Sequence, residues 1–443
     1  MRVCFIIPPS PFLLNDKSLP WLGPLWVAAC LRQRGHTVSV LDLAGNPDYL
    51  QFAAMHAESV GADVYGLTAT APDYPLARKI LRSIRLMRPK ARVILGGAHA
   101  TTSPASCLQD EWDAVVAGDG FFAGERALTE NGLISASKRG EIVEDIDSLP
   151  FPARDLVDLD SYHFQICGER FTSVMTAFGC PMGCTFCCGR DLYVYRKLRA
   201  MTPKRVLAEW DTIRADYPQF RGIMDYSDEW NIPAARAIEL AEAIAAHPTK
   251  WMIRCFIKAE HFTPDVASAM ARAGVVEVLT GVESGSDRIL KVIKKNTSWE
   301  INGRARLLAK AHGIRFKAAT MVGHPTETRE DALLTKDWLL TFQPDEFDVT
   351  VFQPMLGSPI ADRPDREGRG LFFDTPDGNV RPYKTIPGQY EASVRTETLS
   401  GADLLALRDE IDRDVREALG LAPLVGPNLY EASMGQRPVL SSL

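Results

Sequence analysis

Short apolar runs alternate with helix-spaced segments along most of this chain, and that alternation limits the fold more than any other feature. Val3–Ile7 is followed by helical spacing over Leu25–Arg34 that closes at Gly35, then by Thr37–Leu41 and a helical stretch from Tyr49 to Ser59. Val64–Thr68, a helix near Leu76–Met87, Arg92–Leu95 and Ala114–Val116 continue the pattern. Strands covered by helices on both faces read as continuous apolar runs, so this part is expected to be a doubly wound, Rossmann-like parallel sheet. Ligands of such a sheet sit beyond the carboxyl ends of its strands, here Pro8–Ser10, Thr68–Pro72 and Gly96–Thr102.

A linker over residues 145–172, rich in Pro, Asp and aromatics, precedes a second round of alternation. Ser173–Ala177, Gly222–Tyr226, Trp251–Ile257, Val276–Thr280, Phe316–Met321 and Asp348–Phe352 are its predicted strands. Thr202–Tyr217, Ala234–Ala246, Asp265–Ala273 and Trp299–His312 are the predicted helices between them. Six parallel strands with intervening helices predict a partial (βα)6 TIM barrel, with active groups at the strand carboxyl ends. Pro354–Gly388 reads as loops over the barrel mouth, Leu404–Leu419 as a helix packing back, and 430–443 as a poorly tied terminus. The expected class is therefore α/β, with domains at 1–145 and 146–355 and a small C-terminal cap at 356–443.

Composition narrows the function only by exclusion. The net charge of −6 argues against a nucleic-acid partner, which would favour a basic face. No apolar run is long enough to span a bilayer, and the start Met1-Arg-Val-Cys-Phe-Ile-Ile-Pro-Pro is too abrupt for a signal peptide, so a cytoplasmic location is expected. The nine cysteines then read as reduced or metal-bound.

Four of those cysteines fall within residues 180–188, in Cys180-Pro-Met-Gly-Cys184-Thr-Phe-Cys187 followed by Cys188. Close spacing on a loop lets several thiolates reach one centre, and thiolates suit iron–sulfur clusters and zinc. Three fit a regular spacing, which would leave one iron of a four-iron cluster open to an outside ligand. Cys188 also completes a Cys180-x3-Cys184-x3-Cys188 spacing, so the third ligand is Cys187, in the preferred register, or Cys188. A zinc knuckle on a non-catalytic scaffold is the alternative of another class.

This loop, placed after the first barrel strand, resembles the radical S-adenosylmethionine (SAM) superfamily. Gly281-Val-Glu-Ser-Gly-Ser-Asp287 is similar to that family's fifth strand, and Met321-Val-Gly-His-Pro-Thr-Glu327 to its sixth-strand turn. Leu22-Gly-Pro-Leu-Trp-Val-Ala-Ala-Cys-Leu31, Leu95-Gly-Gly-Ala-His-Ala-Thr101 and Val116-Ala-Gly-Asp-Gly120 resemble the cobalamin-binding domain of its B12-type members. The resemblance implies a [4Fe–4S] cluster on Cys180, Cys184 and Cys187, with SAM at the open iron. It implies that Glu283 and Ser284 meet the SAM ribose, that backbone at Gly323 meets adenine, and that Phe186 lies beside the cofactor. Lys258 or Arg254 would pair with the SAM carboxylate, and Arg196 and Arg199 would steady the cluster loop. An electron donor such as flavodoxin or ferredoxin is implied as a partner.

Two outcomes compete within that class. Residues 121–144 leave little room for the helix and strand that the family places after its Gly-x-Gly turn, so a shortened sheet edge is expected, and no cobalamin with it. His99 reads as a loop residue rather than a cobalt ligand. Asp225, Tyr226, Asp228 and Glu229, after the second barrel strand, would bind or protonate an amine-bearing substrate. The expected reaction is thus radical dehydration of an amino sugar without B12, as in the diol dehydratases of aminoglycoside pathways. The alternative is a cobalamin-dependent C-methyltransferase.

Overall fold

The computed structural model describes residues 1–10, 13, 15–373 and 390–422. They divide into two compact units, the first Met1–Phe164 with Asp191–Arg199, the second Gln165–Arg190 with the chain from Ala200 onward.

In the first unit, β1 (Arg2–Ile7), α1 (Leu22–Gln33), β2 (Thr37–Asp42), α2 (Tyr49–Ser59), β3 (Val64–Thr68) and α3 (Tyr74–Met87) follow one another. Next come β4 (Arg92–Gly96), α4 (Ala98–Thr102), α5 (Pro104–Cys107), β5 (Ala114–Gly118), α6 (Gly120–Arg126) and β6 (Gly132–Ala136). All six strands are parallel, in the order β2-β1-β3-β4-β5-β6. One core lies on the face that α2 and α3 cover, around Tyr65, Ile80, Val93 and Val115. The other lies under α1 and α6, around Val3, Leu31, Ile94 and Ile134. Full burial of each such aliphatic side chain contributes about 1.5–3 kcal/mol.

The expected shortening of the sheet edge does not occur. A seven-residue helix and a five-residue strand fit inside residues 120–136, and β6 pairs with β5 along its whole length. Two small residues make this economy possible. Gly118 has φ +111°, and a Cβ there would stand 2.1 Å from the Ala136 carbonyl oxygen, so only glycine lets β6 come in this close. A Cβ on Gly124 would meet Val27 at 2.8 Å, so its absence lets α6 lie down on α1.

The segment 191–199 returns to this unit as α7 (Tyr193–Arg196). Arg199, expected to steady the cluster loop, is buried here instead. Its guanidinium pairs with Asp119 in the turn before α6 and donates to the Val143 carbonyl at 2.8 Å. Arg196 is exposed.

The second unit opens with β7 (Gln165–Ile166), β8 (Glu169–Val174), the two-residue β9 (Ala177–Phe178) and, across the boundary, β10 (Arg199–Ala200). It continues with α8 (Pro203–Asp216), β11 (Phe220–Asp225), α9 (Ala234–Ala246), β12 (Met252–Phe256), α10 (Pro264–Arg272) and β13 (Val275–Glu283). After α11 (Asp287–Val292) come α12 (Trp299–Ala311), β14 (Arg315–Val322), α13 (Arg329–Phe342) and β15 (Glu346–Val351). Six strands, β8 and β11 to β15, are parallel and lie in chain order, with β7 antiparallel on the β8 edge. The helix starts carry the expected chemistry. Thr202 and Thr263 cap α8 and α10 just before a proline, and Thr328 with Asp331 forms a capping box on α13.

The two faces of this sheet differ in character. Ile253, Cys255, Val278, Phe316, Ala318, Phe347 and Val349 are wholly buried on the helix-covered face. The other face carries a charged layer: Arg254 and Arg315 both donate to Glu277, at 2.7 and 2.9 Å, and Lys317 pairs with Asp348 at 2.9 Å. The lumen is therefore polar at this level.

Beyond β15, short helices α14 (Pro359–Asp362) and α15 (Pro364–Glu367) precede the antiparallel pair β16 (Leu371–Phe373) and β17 (Val394–Thr396). Helix α16 (Gly401–Leu419) packs against α13 and β15, as its spacing predicts, capped by Ser400 and Asp403 and ended by Gly420. Part of the predicted loop region, residues 374–389, and the terminus 430–443 lie outside the described residues. No helix among the described residues is long and apolar enough to cross a membrane.

Candidate active site

The cysteine loop leaves β9 at Gly179 and is fastened from several sides. Gly179 N–H donates to Asp228 at 2.7 Å, Thr185 N–H to the Ile293 carbonyl at 3.0 Å, and Arg190 to the Gly183 carbonyl at 2.8 Å. Cys184 is buried, Cys180 and Cys188 are half-buried, and Cys187 has an open surface although protein surrounds it. Burial pushes Cys180 up to about 11 and Cys187 up to about 12, so both thiols await a centre that stabilises their thiolates. The donor set, three thiols on one fastened loop, fits an iron–sulfur cluster. Among the described residues no three His, Cys, Asp or Glu side chains are placed to share one metal ion, so side-chain placement favours neither the cluster nor zinc, and the fit rests on the spacing of the thiols and the fastening of the loop.

Behind the loop stands a buried network. Asp225 is shut off from solvent, and its carboxylate accepts from Thr176 Oγ1 at 2.7 Å and from Ser227 N–H and Oγ at 2.9 and 2.6 Å. Ser227 Oγ in turn accepts from the Ala177 amide at 2.9 Å. Asp225 thus ties the end of β11 to the strand leading into the cysteines, and it stands apart from the lumen-facing groups with which the sequence grouped it. Tyr226 and Asp228 are open to the lumen, Tyr226 with its ring 6.1 Å from Phe256, and Glu229 is half-buried. Burial pushes Glu229 up to about 7, against the pull of Lys295 and Lys258.

Glu283 ends β13 with φ +64°, a region that a non-glycine residue rarely occupies. The pairing of β13 with β14 shifts register between Gly281 and Glu283, and a bulge of this kind re-aims a side chain. Its carboxylate receives Lys295 Nζ at 2.9 Å, and both side chains are nearly buried. Lys295 also stands 5.9 Å from the Phe186 ring centre. Ser284 turns into the core, where its Oγ accepts from the Ser286 amide at 3.1 Å. Gly285 follows because a Cβ there would strike the Leu334 carbonyl of α13 at 2.2 Å.

The two cations expected to meet a carboxylate part company. Arg254 belongs to the charged layer with Glu277. Lys258 is buried at the end of β12, its backbone clamped by Asn231 at 2.8 and 2.9 Å, and its Nζ lies 3.2 Å from Glu260. Gly323 has φ +96° and donates its N–H to Glu327, which is fully buried.

Removing one member of a buried ion pair costs about 3–5 kcal/mol, because the other charge is left without a partner. Glu283→Ala is expected to destabilise the apoprotein on that scale, and Glu283→Ala with Lys295→Met to recover most of the loss. Urea denaturation of both variants measures it.

A model of the radical SAM superfamily matches residues 174–339, and a model of the B12-binding domain matches residues 16–127. The chain thus carries a stretch that matches radical SAM proteins and, ahead of it, one that matches B12-binding domains. The chain is 25% identical to a protein of Pyrococcus horikoshii named as an uncharacterised methyltransferase, over 81% of this chain and 82% of that one. It is also 25% identical to the anaerobic magnesium-protoporphyrin IX monomethyl ester cyclase of Cereibacter sphaeroides, over 81% of this chain but only 63% of that one. Among solved structures, TsrM of Kitasatospora setae, a radical SAM methyltransferase, superposes with a TM-score of 0.71 at 18% identity, covering 93% of this chain and 89% of that one. The cobalamin-dependent SAM radical enzyme OxsB superposes at 0.72 with 16% identity, covering 94% and 67%. At such identities the likeness is one of fold.

The expected absence of cobalamin rested on a shortened edge that α6 and β6 in fact supply, and a B12-binding model matches this unit. At Gly96, beyond the end of β4, a Cβ would meet nothing nearer than 4.0 Å, whereas at Gly97 it would stand 2.5 Å from Thr68 Oγ1. His99 on α4 is buried, with its ring 4.2 Å from that of Tyr74.

Proposed function

We propose that this chain is a cobalamin-dependent radical SAM methyltransferase acting on a small-molecule substrate in the lumen of its second sheet. The observation that carries this reading over dehydration is the complete six-stranded first unit, with its full β5–β6 edge. Relatives named for methyl transfer lend it support, among them the cytidylyl-2-hydroxyethylphosphonate methyltransferase of Streptomyces wedmorensis, 24% identical over 69% of this chain.

Cys180, Cys184 and Cys187 hold the cluster in this reading, and Cys188 stands beside it. When bound, the cluster supplies the electron that splits SAM into methionine and a 5′-deoxyadenosyl radical, and cobalamin supplies a transferable methyl group. The chain's own residues position and exclude water. Glu283 accepts hydrogen bonds from the ribose hydroxyls, its carboxylate oriented by Lys295 at 2.9 Å. Lys258 gives the SAM carboxylate a cation, as a point charge rather than the bidentate fork of an arginine. Phe186 walls the cofactor, and Tyr226 with Phe256 walls the substrate. Asp228 and Glu229 are placed to take a substrate ammonium or to move a proton.

Dehydration without cobalamin is the second reading, favoured by the grouping of Asp228, Glu229 and the Tyr226 hydroxyl after β11. Loss of hydroxide from a deprotonated ketyl needs an acid and a base close by.

Anaerobic reconstitution with iron and sulfide, with and without cobalamin, tests the choice. The expected result is one corrin per chain, and turnover of SAM to both 5′-deoxyadenosine and S-adenosylhomocysteine only when corrin is bound. Turnover to 5′-deoxyadenosine alone in its absence, with a dehydrated product, restores the second reading.

A further inference from the structure

Two lysines stand side by side after α11, and the backbone sends them opposite ways. Lys294 has φ +52°, in the left-handed region that side chains rarely adopt. Its ammonium goes outward to Glu367, at 2.7 and 2.9 Å from the two carboxylate oxygens. Lys295 turns inward, its own N–H donating to the Leu290 carbonyl at 2.9 Å. The carbonyl of Ile293, just before the pair, accepts from Thr185 N–H at 3.0 Å, and the Thr185 carbonyl accepts from Ile360 N–H at 3.1 Å. The end of α11 is thus bonded to the cysteine loop between Cys184 and Phe186.

The inward ammonium is nearly buried and is held by Glu283 at 2.9 Å, 5.9 Å from the Phe186 ring centre. Burial works against its charge, but Glu283, and after it Cys184 and Glu229, outweigh burial and hold the ammonium well above the usual lysine range. It is a fixed positive charge. A charge so placed acts on whatever the loop holds, because buried charges are screened far less than exposed ones. Net charge is one of the factors that set the reduction potential of an iron–sulfur cluster. An added electron makes the cluster more negative, so a nearby cation favours the reduced form. We infer that Lys295 governs how readily the cluster takes up its electron, its ammonium favouring the reduced form and Glu283 opposing it. This inference rests on the cluster of the proposed function and deepens it, by naming what regulates electron entry. One electron passes from an outside donor to the cluster; no bond forms or breaks, and the lysine keeps its proton.

The test uses the full chain with its cluster reconstituted and no SAM added, and compares wild type with Lys295→Gln, Lys295→Arg and Glu283→Gln. Titanium(III) citrate supplies the electron in the presence of mediator dyes, and electron paramagnetic resonance of the reduced cluster gives the midpoint potential. Lys295→Gln keeps a donor for Glu283 and removes the charge. It is expected to lower the equilibrium constant for reduction about tenfold, a downward shift of about 59 mV for one electron. Lys295→Arg keeps the charge and should hold the wild-type midpoint. Glu283→Gln removes the opposing charge and should move the midpoint upward. Damage to the loop would move both Gln variants the same way, so opposite signs separate an effect of charge from one of packing. An unchanged midpoint in Lys295→Gln, an equal fall in Lys295→Arg, or shifts of one sign in the two Gln variants overturns the inference. Should Lys295→Gln take up no iron, Glu283→Gln decides alone, and a midpoint at or below the wild-type value overturns the inference. A wild-type protein that takes up no cluster overturns the functional reading and the inference with it, whereas a loaded wild type with the wrong shifts overturns the inference alone.

Discussion

Replacing Cys180, Cys184 or Cys187 by Ala abolishes the iron–sulfur absorbance of the reconstituted protein and with it all cleavage of SAM, whereas Cys188→Ala keeps both. The expected effect is total, because a cluster held by three thiolates has no spare ligand. Cys184 is buried and Cys187 exposed, so the two substitutions differ in what they do to packing but should agree in the loss of iron. Retention of the chromophore in Cys187→Ala together with its loss in Cys188→Ala would move the register by one residue. Iron and sulfide content per chain gives the readout independently of turnover.

The second large effect is on stability. Asp225→Ala removes the acceptor for Thr176 Oγ1 and for both the amide and hydroxyl of Ser227, all in a region closed to water. A buried donor left unsatisfied costs about 1–3 kcal/mol, so a loss of about 3 kcal/mol or more is expected, a fall in the thermal midpoint of roughly 6–12 °C. The strand feeding the cysteine loop loosens with it, so cluster uptake falls as well. Asp225→Asn, which keeps one oxygen, should fall between. A catalytic acid or base would behave otherwise: turnover would drop while the midpoint and the iron content stayed at wild-type values, and that outcome would return Asp225 to the substrate.

Both parallel sheets were legible because burial on two faces leaves a strong mark, runs of β-branched and aliphatic residues too apolar for solvent. The cysteine loop was legible because thiolate ligation demands close spacing. The glutamate in Gly281-Val-Glu-Ser-Gly was legible only through a motif, and its partner Lys295 could have been found there too, at the end of the same segment. Helix α6 and strand β6 escaped because they are short, and because what admits them, bare backbone at Gly118 and Gly124, is a space rather than a side chain.

Sequence by itself therefore determined two parallel sheets, their order along the chain, and a three-thiol loop at the mouth of the second. Only the tertiary structure decided which of the nearby charges face that mouth. Asp225 and Asp228 are three residues apart, yet one is consumed by Thr176 and Ser227 while the other opens to the lumen. Arg254 and Lys258 are four apart, yet one is spent on Glu277 across a strand pair while the other reaches the strand end. Strand periodicity gives the face on which a side chain begins, but what it does there depends on partners brought up from distant strands. Those pairings form only when the sheet curls.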